Sequence, residues 1–172
     1  MNVRCRKLIL RSDVMNIIIE QLDNSEASYS RFVKYIYKVE KLFHTPLSAQ
    51  GDLDVFARKW LSKAIVLVAV DTDTGIICGS MVTYANDLET RRAFTTLKVV
   101  SEGYQRNGIA KMLRAKMCEI AKNEGMTVMR GKTHKDNIAS INDIIQAGGR
   151  HVGYIEDKNS INYGDLIFEI TL

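Results

Sequence analysis

Apolar residues in this chain recur at two spacings. Steps of three and four mark helices. Phe32, Tyr35, Ile36, Val39, Leu42 and Phe43 share one face, and Leu53, Phe56, Ala57, Trp60 and Leu61 share another. Ile109, Met112, Leu113, Met117, Ile120 and Ala121 form a third stripe, with Lys111, Arg114, Lys116, Glu119, Lys122 and Glu124 mostly on the polar side and Gly125 as a stop. A shorter set, Val14, Ile17, Ile18 and Leu22, predicts a helix capped by Ser12. Another helix is predicted over Ile138 to Ala147, after Asn137. β-rich runs predict strands over Val3 to Leu10, Ile65 to Val70, Ile76 to Tyr84, Arg92 to Val100, Thr127 to Thr133, Arg150 to Ile155 and Leu166 to Thr171.

The breaks between these runs carry turn chemistry. Asp23 to Ser28 is polar, Pro46 ends the second helical run, and Asp52 or Asp54 can cap the third. Asp71-Thr72-Asp73-Thr74-Gly75 reads as a hairpin connection, because the ligand-rich loop and distal glutamate of a calcium hand are missing. The order is β, then helices, then three strands, then α, β, α, β, β. That predicts one mixed α/β domain over residues 1–172.

Composition narrows the class. The chain has 172 residues, 46% hydrophobic and 26% charged, enough for one domain with a proper core. A net charge of +4 suits an anionic ligand, and no Lys/Arg run suggests a basic tail. Cys5, Cys78 and Cys118 are too few and too scattered for a metal pattern or a disulfide framework, so a reducing cytoplasm is expected and no metal. The start is basic without a long apolar stretch, so no secretory signal is expected. The longest strongly apolar run, Ala64 to Val70, is too short to span a bilayer, and no membrane role is expected.

The segment Gln105-Arg106-Asn107-Gly108-Ile109-Ala110 joins a strand to the N-terminus of the best-patterned helix. Backbone N–H groups there have no intrahelical partner, and the helix dipole adds positive potential. Gly108 leaves the backbone open to close approach, and Arg106 adds fixed charge. This describes a phosphate-binding turn, although a plain strand-to-helix connection accounts for a lone glycine equally well. Gly103 and Gly108 have P-loop spacing, but Ile109-Ala110 stands where Lys-Ser/Thr must follow. The three close glycines of a dinucleotide fingerprint are absent as well.

Gln105 to Ala110 resembles the Q/R-x-x-G-x-G/A signature of the GNAT superfamily of N-acetyltransferases. The resemblance covers nearly the whole chain in element order, and its motifs lie between about Ile76 and Gly149. It implies a mixed, mostly antiparallel sheet flanked by helices, with an enlarged helical region between the first two strands. It also implies acetyl-coenzyme A as cosubstrate. The loop residues Gln105, Arg106, Asn107, Gly108, Ile109 and Ala110 would hold its pyrophosphate, and Lys98, Val99 and Val100 would offer main-chain atoms to its pantetheine arm. Asn137 and Ser140 match a second motif that also contacts the coenzyme. Ile144 stands where that motif has a tyrosine, often the acid for the departing thiolate, and it cannot donate a proton.

Direct transfer needs a neutral amine, hence a base. Asp87 is the first candidate, with Glu89, Glu102 and His134 behind it. Asp87 ends a strand in Tyr84-Ala85-Asn86-Asp87, where Tyr84 and Asn86 would line the acceptor cleft; plain turn residues are the alternative. Tyr104 is the first candidate acid, and Ser140, Asn142 and Tyr154 are others. The expected function is acetyl transfer from the coenzyme thioester to an amine, either a small molecule or an amino sugar. The alternatives are a catalytically weak or inactive coenzyme-binding or protein-interaction module, and an enzyme acting on a protein or a charged transfer RNA. The sequence leaves open whether the chain forms a homodimer.

Overall fold

The computed structural model describes residues 15–172. The strand expected over Val3 to Leu10, and the Ser12 cap and Val14 of the following helix, lie outside them. The rest of that helix is corrected by the structure: Ile17–Leu22 is strand β1, paired antiparallel with Ile65–Asp71, strand β2. Three consecutive isoleucines are stiff at χ1 and fit a pleated surface better than a helix.

Helix α1 spans Glu26–Val39 and begins inside the expected Asp23 to Ser28 loop, because the Ser25 side chain accepts from the Ser28 N–H. It runs into a 3₁₀ turn at Glu40–Leu42, and a second such turn covers Leu47–Ala49. Asp52, not Asp54, caps helix α2 (Leu53–Lys63), accepting from the Asp54 and Val55 N–H groups. Strands β3 (Ile76–Tyr84) and β4 (Arg92–Val100) follow. Helix α3 (Ile109–Asn123), strand β5 (Val128–His134), helix α4 (Ile138–Gln146) and strands β6 (Arg150–Tyr154) and β7 (Asp165–Thr171) complete the order.

The sheet order is β1-β2-β3-β4-β5-β7-β6, and every neighbouring pair is antiparallel except β4 with β5. Alternation along β2 sends Val66, Val68 and Val70 into one core and Leu67 and Ala69 into the other. The first core lies under α1 and α2, where Phe32, Ile36, Trp60, Leu97 and Val99 are buried. The second lies under α3, where Ile109, Leu113 and Met117 pack on Met81 and Met129. Among the described residues no helix is long and apolar enough to cross a membrane.

Candidate active site

Strand β4 runs beside β5 only from Arg92↔Val128 to Thr95↔Gly131. Beyond that point each strand stays with its other neighbour. β4 continues to Val100 against β3, and β5 continues to His134 against β7. The departure coincides with a bulge: Val82 faces Leu97 and Thr83 faces Thr95, so Thr96 is the extra residue. The sheet therefore opens into a V, and among the described residues the edge of β4 from Leu97 to Val100 has no strand partner on its β5 side. A cleft of about 890 Å³ fills the opening, within the range of small-molecule sites.

One mouth of the cleft is the turn between β4 and α3. Arg106 and Gly108 both have positive φ, at 65° and 77°. The loop is built by its own groups: the Asn107 side chain donates to the Tyr104 and Gln105 carbonyls at 3.2 and 3.1 Å, and the Gln105 side chain donates to the Val100 carbonyl at 3.2 Å. Among the described residues no protein group accepts from the backbone N–H groups of Gln105 to Lys111; the first helical bond is Met112 N–H to the Gly108 carbonyl. Among the described residues, nothing beyond its own chain neighbours lies within 4 Å of where a Cβ on Gly108 would sit. These bare amides at a helix N-terminus form an anion cradle, and Arg106 and Lys111 line the same mouth. A coenzyme pyrophosphate fits that donor set.

The walls between the mouths are β4, α3 and α4. Lys98, Val99, Val100, Ile109, Ala110, Asn137, Ser140, Asn142 and Ile144 line the cleft. The Asn137 side chain caps α4 by accepting from the Ser140 N–H at 3.1 Å. None of the residues of α4 is buried, yet Asp143 on this helix makes ion pairs with both Lys98 and Arg114. Burial pushes the Asp143 carboxyl up, but Arg114 and Lys98 together outweigh it and hold the group below the usual carboxylate range. Arg114, placed on the polar side by the helical pattern, is in fact buried.

The other mouth is lined by Phe43, His44, Gln50, Lys132, His134, Ile161, Asn162 and Asp165. His44 stacks on His134 with ring centroids 3.5 Å apart and planes 8° from parallel. His134 Nδ1 accepts from the Asp136 N–H at 3.3 Å, and Lys132 pairs with Asp165 at 3.4 Å.

Several residues singled out in the sequence lie elsewhere. Tyr84, Asn86, Asp87, Glu89, Glu102 and Tyr154 do not line this cleft. Asp87 accepts from the Thr90 N–H at 3.0 Å and from the Thr90 hydroxyl, which hold its carboxyl below the usual range. Tyr104 does line the cleft, but its hydroxyl donates to Asp71 Oδ2 at 2.8 Å, and that carboxylate raises the phenol's pKa. The side chains the sequence did not single out are His44, Arg114, Lys132, Asp143 and Asp165. Each reaches the cleft through pairings that link distant segments, and local spacing carries no sign of them.

The fold is a mixed α/β sheet whose strands β4 and β5 splay beside a turn of bare amides. The chain matches the family described as Acetyltransferase (GNAT) family over residues 33–143, more than half its length, and belongs to it. Similar solved structures include an acetyltransferase of the GNAT family from Streptococcus pneumoniae, with TM-score 0.71, 17% identity, and 91% of this chain and 99% of that one covered. The ribosomal-protein-S18-alanine N-acetyltransferase from Escherichia coli is similar at TM-score 0.68, 14% identity and 90% and 93% coverage. A Bacillus anthracis str. Ames structure in complex with acetyl coenzyme A is similar at TM-score 0.56, 19% identity and 64% and 63% coverage. No curated protein matches the sequence.

Proposed function

We propose that the protein is an acetyl-coenzyme A-dependent N-acetyltransferase that moves the acetyl group directly to an amine. The observation that carries this reading is the free edge of β4 ending in a turn whose amides have no protein acceptor among the described residues. The Gln105 to Lys111 amides and Arg106 bind the phosphates. The β4 edge at Lys98, Val99 and Val100 orients the pantetheine arm through main-chain groups, with Asn137 and Ser140 on the facing helix. Bound there, the coenzyme supplies an activated acetyl thioester.

The acceptor enters by the opposite mouth. An amine must be neutral to attack, so the proton of an acceptor ammonium goes to the polar groups there, where His44 is the exposed imidazole. A small amine or amino sugar suits the enclosed part of the cleft. Cys78 and Cys118 are both free thiols, in keeping with a reducing cytoplasm. Calorimetry with acetyl-coenzyme A tests the reading: saturable binding is expected, and no binding at high micromolar ligand sinks it.

A second reading is a coenzyme-binding module with little or no turnover. Ile144 and the engaged hydroxyl of Tyr104 favour it, since neither can protonate a thiolate. Thiol release across a panel of amines, amino sugars, amino acids and peptides separates the two, because turnover with any acceptor excludes the inactive module.

A further inference from the structure

Lys98, Arg114 and Asp143 come from β4, α3 and α4 and meet inside the cleft wall. Both cations converge on one oxygen, Asp143 Oδ2: Lys98 Nζ lies 2.6 Å away, and Arg114 Nη1 also pairs with it. Two positive charges thus face one negative charge. The three side chains are only 17%, 10% and 24% exposed, so the excess is poorly served by water. A half-buried excess of positive charge in a ligand cleft calls for an anion.

Two anions are at issue for a coenzyme A thioester, its phosphates and the thiolate it leaves behind. The phosphates have their own cradle at Gln105 to Lys111. Lys98 lies two residues past the bulged Thr96 and three past Thr95, the last residue of β4 paired with β5, roughly 10 Å along the strand. Between the two mouths, where a donor from one would meet an acceptor from the other, the cleft wall carries Lys98 on β4, Arg114 on α3 and Asp143 on α4. Among the described residues no tyrosine hydroxyl in the cleft is free to serve instead, since Tyr104 is bonded to Asp71 and Tyr154 lies outside the cleft. Of the other Arg, Lys, His and Asp side chains lining the cleft, Arg106 and Lys111 lie at the phosphate mouth, Lys132, His134 and Asp165 on the far wall, and Arg130 is already ion-paired with Glu169 at 2.6 Å.

Resting on the transferase reading above, we infer that the Lys98–Asp143–Arg114 cluster takes up the charge of the departing coenzyme thiolate. As the amine nitrogen bonds to the carbonyl carbon, the carbon–sulfur bond breaks and its electron pair stays on sulfur. The amine's proton leaves on the acceptor side. The cluster offsets the new negative charge with its excess positive charge and gives up no proton of its own.

The test needs no acceptor. Calorimetry on the full chain compares coenzyme A with acetyl-coenzyme A at about pH 7 and about pH 9.5, either side of the ordinary thiol pKa of about 8.5. Acetyl-coenzyme A has no thiol and serves as the control within each protein, so the readout is the ratio of the two affinities. In the wild type the ratio should shift about tenfold toward coenzyme A as the thiol ionises, one pKa unit of differential binding. Lys98→Met should abolish the shift, Lys98→Arg should keep it, and Asp143→Asn, which raises the excess charge, should enlarge it. A merely structural cluster would move Lys98→Met and Asp143→Asn in the same direction. A pH-independent wild-type ratio overturns the inference, as does the same shift in every variant with both ligands bound. Failure of the wild type to bind either ligand instead removes the transferase reading, and this one with it.

Discussion

The Tyr104 hydroxyl donates to Asp71 across 2.8 Å and ties the turn before α3 to the end of β2. Asp71 is buried and also accepts from the Asp73 N–H at 3.0 Å, so the tyrosine is anchored to a fixed point. This bond holds the turn that carries the bare amides. Tyr104→Phe should weaken acetyl-coenzyme A binding roughly 2- to 10-fold, the range for one lost hydrogen bond. Asp71→Asn keeps an acceptor oxygen and should retain most of the affinity. Isothermal calorimetry on both variants decides, and equal losses would disconnect the bond from binding.

Gly108 stands at φ 77° with open space around its missing Cβ. Gly108→Ala should therefore cost about 1 kcal/mol of stability from backbone conformation, without a steric clash. Gly108→Glu adds a carboxylate in front of the amides and should abolish coenzyme binding in a folded protein. Urea unfolding together with ligand titration separates the two effects.

Gly79 on β3 is the seat of α3. A Cβ there would lie 2.9 Å from Ile109 Cγ2 and 3.2 Å from Leu113 Cδ1, both on fully buried side chains. Gly79→Ala should destabilise the protein by about 1–3 kcal/mol through overpacking. Because Ile109 opens α3, the same substitution should also lower coenzyme affinity. A stability loss in denaturant titration with unchanged affinity would show that the turn is independent of the helix seat.

Asp143 gives the acid limb of the stability curve a recognisable component. Its folded pKa lies below the unfolded value of about 3.9. Between the two values the unfolded state binds more protons, so stability rises with pH there. The contribution is complete above the unfolded pKa and is lost as pH falls through the folded one. Thermal melts from about pH 6 down to about pH 2 should show a shallower acid decline in Asp143→Asn than in the wild type.

The sequence made the later half of the chain readable because its elements are bounded by strong local signals. Ile76 to Tyr84 and Arg92 to Val100 are strands with those same ends, and a helix follows Asn137 as expected, with Asn137 as its cap. The misreading at Ile17 to Leu22 arose because Ile17, Ile18 and Leu22 fall at helical spacing in a segment of six residues, too short to settle the period, and only pairing with β2 decides it. The turn between β4 and α3 was legible for the same local reason as the helix behind it. The opening of β4 from β5 was not, since it depends on Thr96 being left over between two registers. Asp143 lies 45 residues from Lys98, and nothing in either neighbourhood marks their meeting. Asp87 shows the reverse error: a carboxylate near a strand end is locally indistinguishable from one already engaged by Thr90.

The β4–β5 ladder has only four residue pairs among the described residues, yet it links a four-stranded half of the sheet to a three-stranded one. A molecule lying across that gap contacts both halves and has no counterpart in the unfolded chain, so its binding free energy adds directly to the cohesion between them. At a hundredfold excess over Kd the gain is about 2.7 kcal/mol. Occupancy and cooperativity thereby become one equilibrium, and the melting temperature of this protein reports the concentration of whatever bridges the seam.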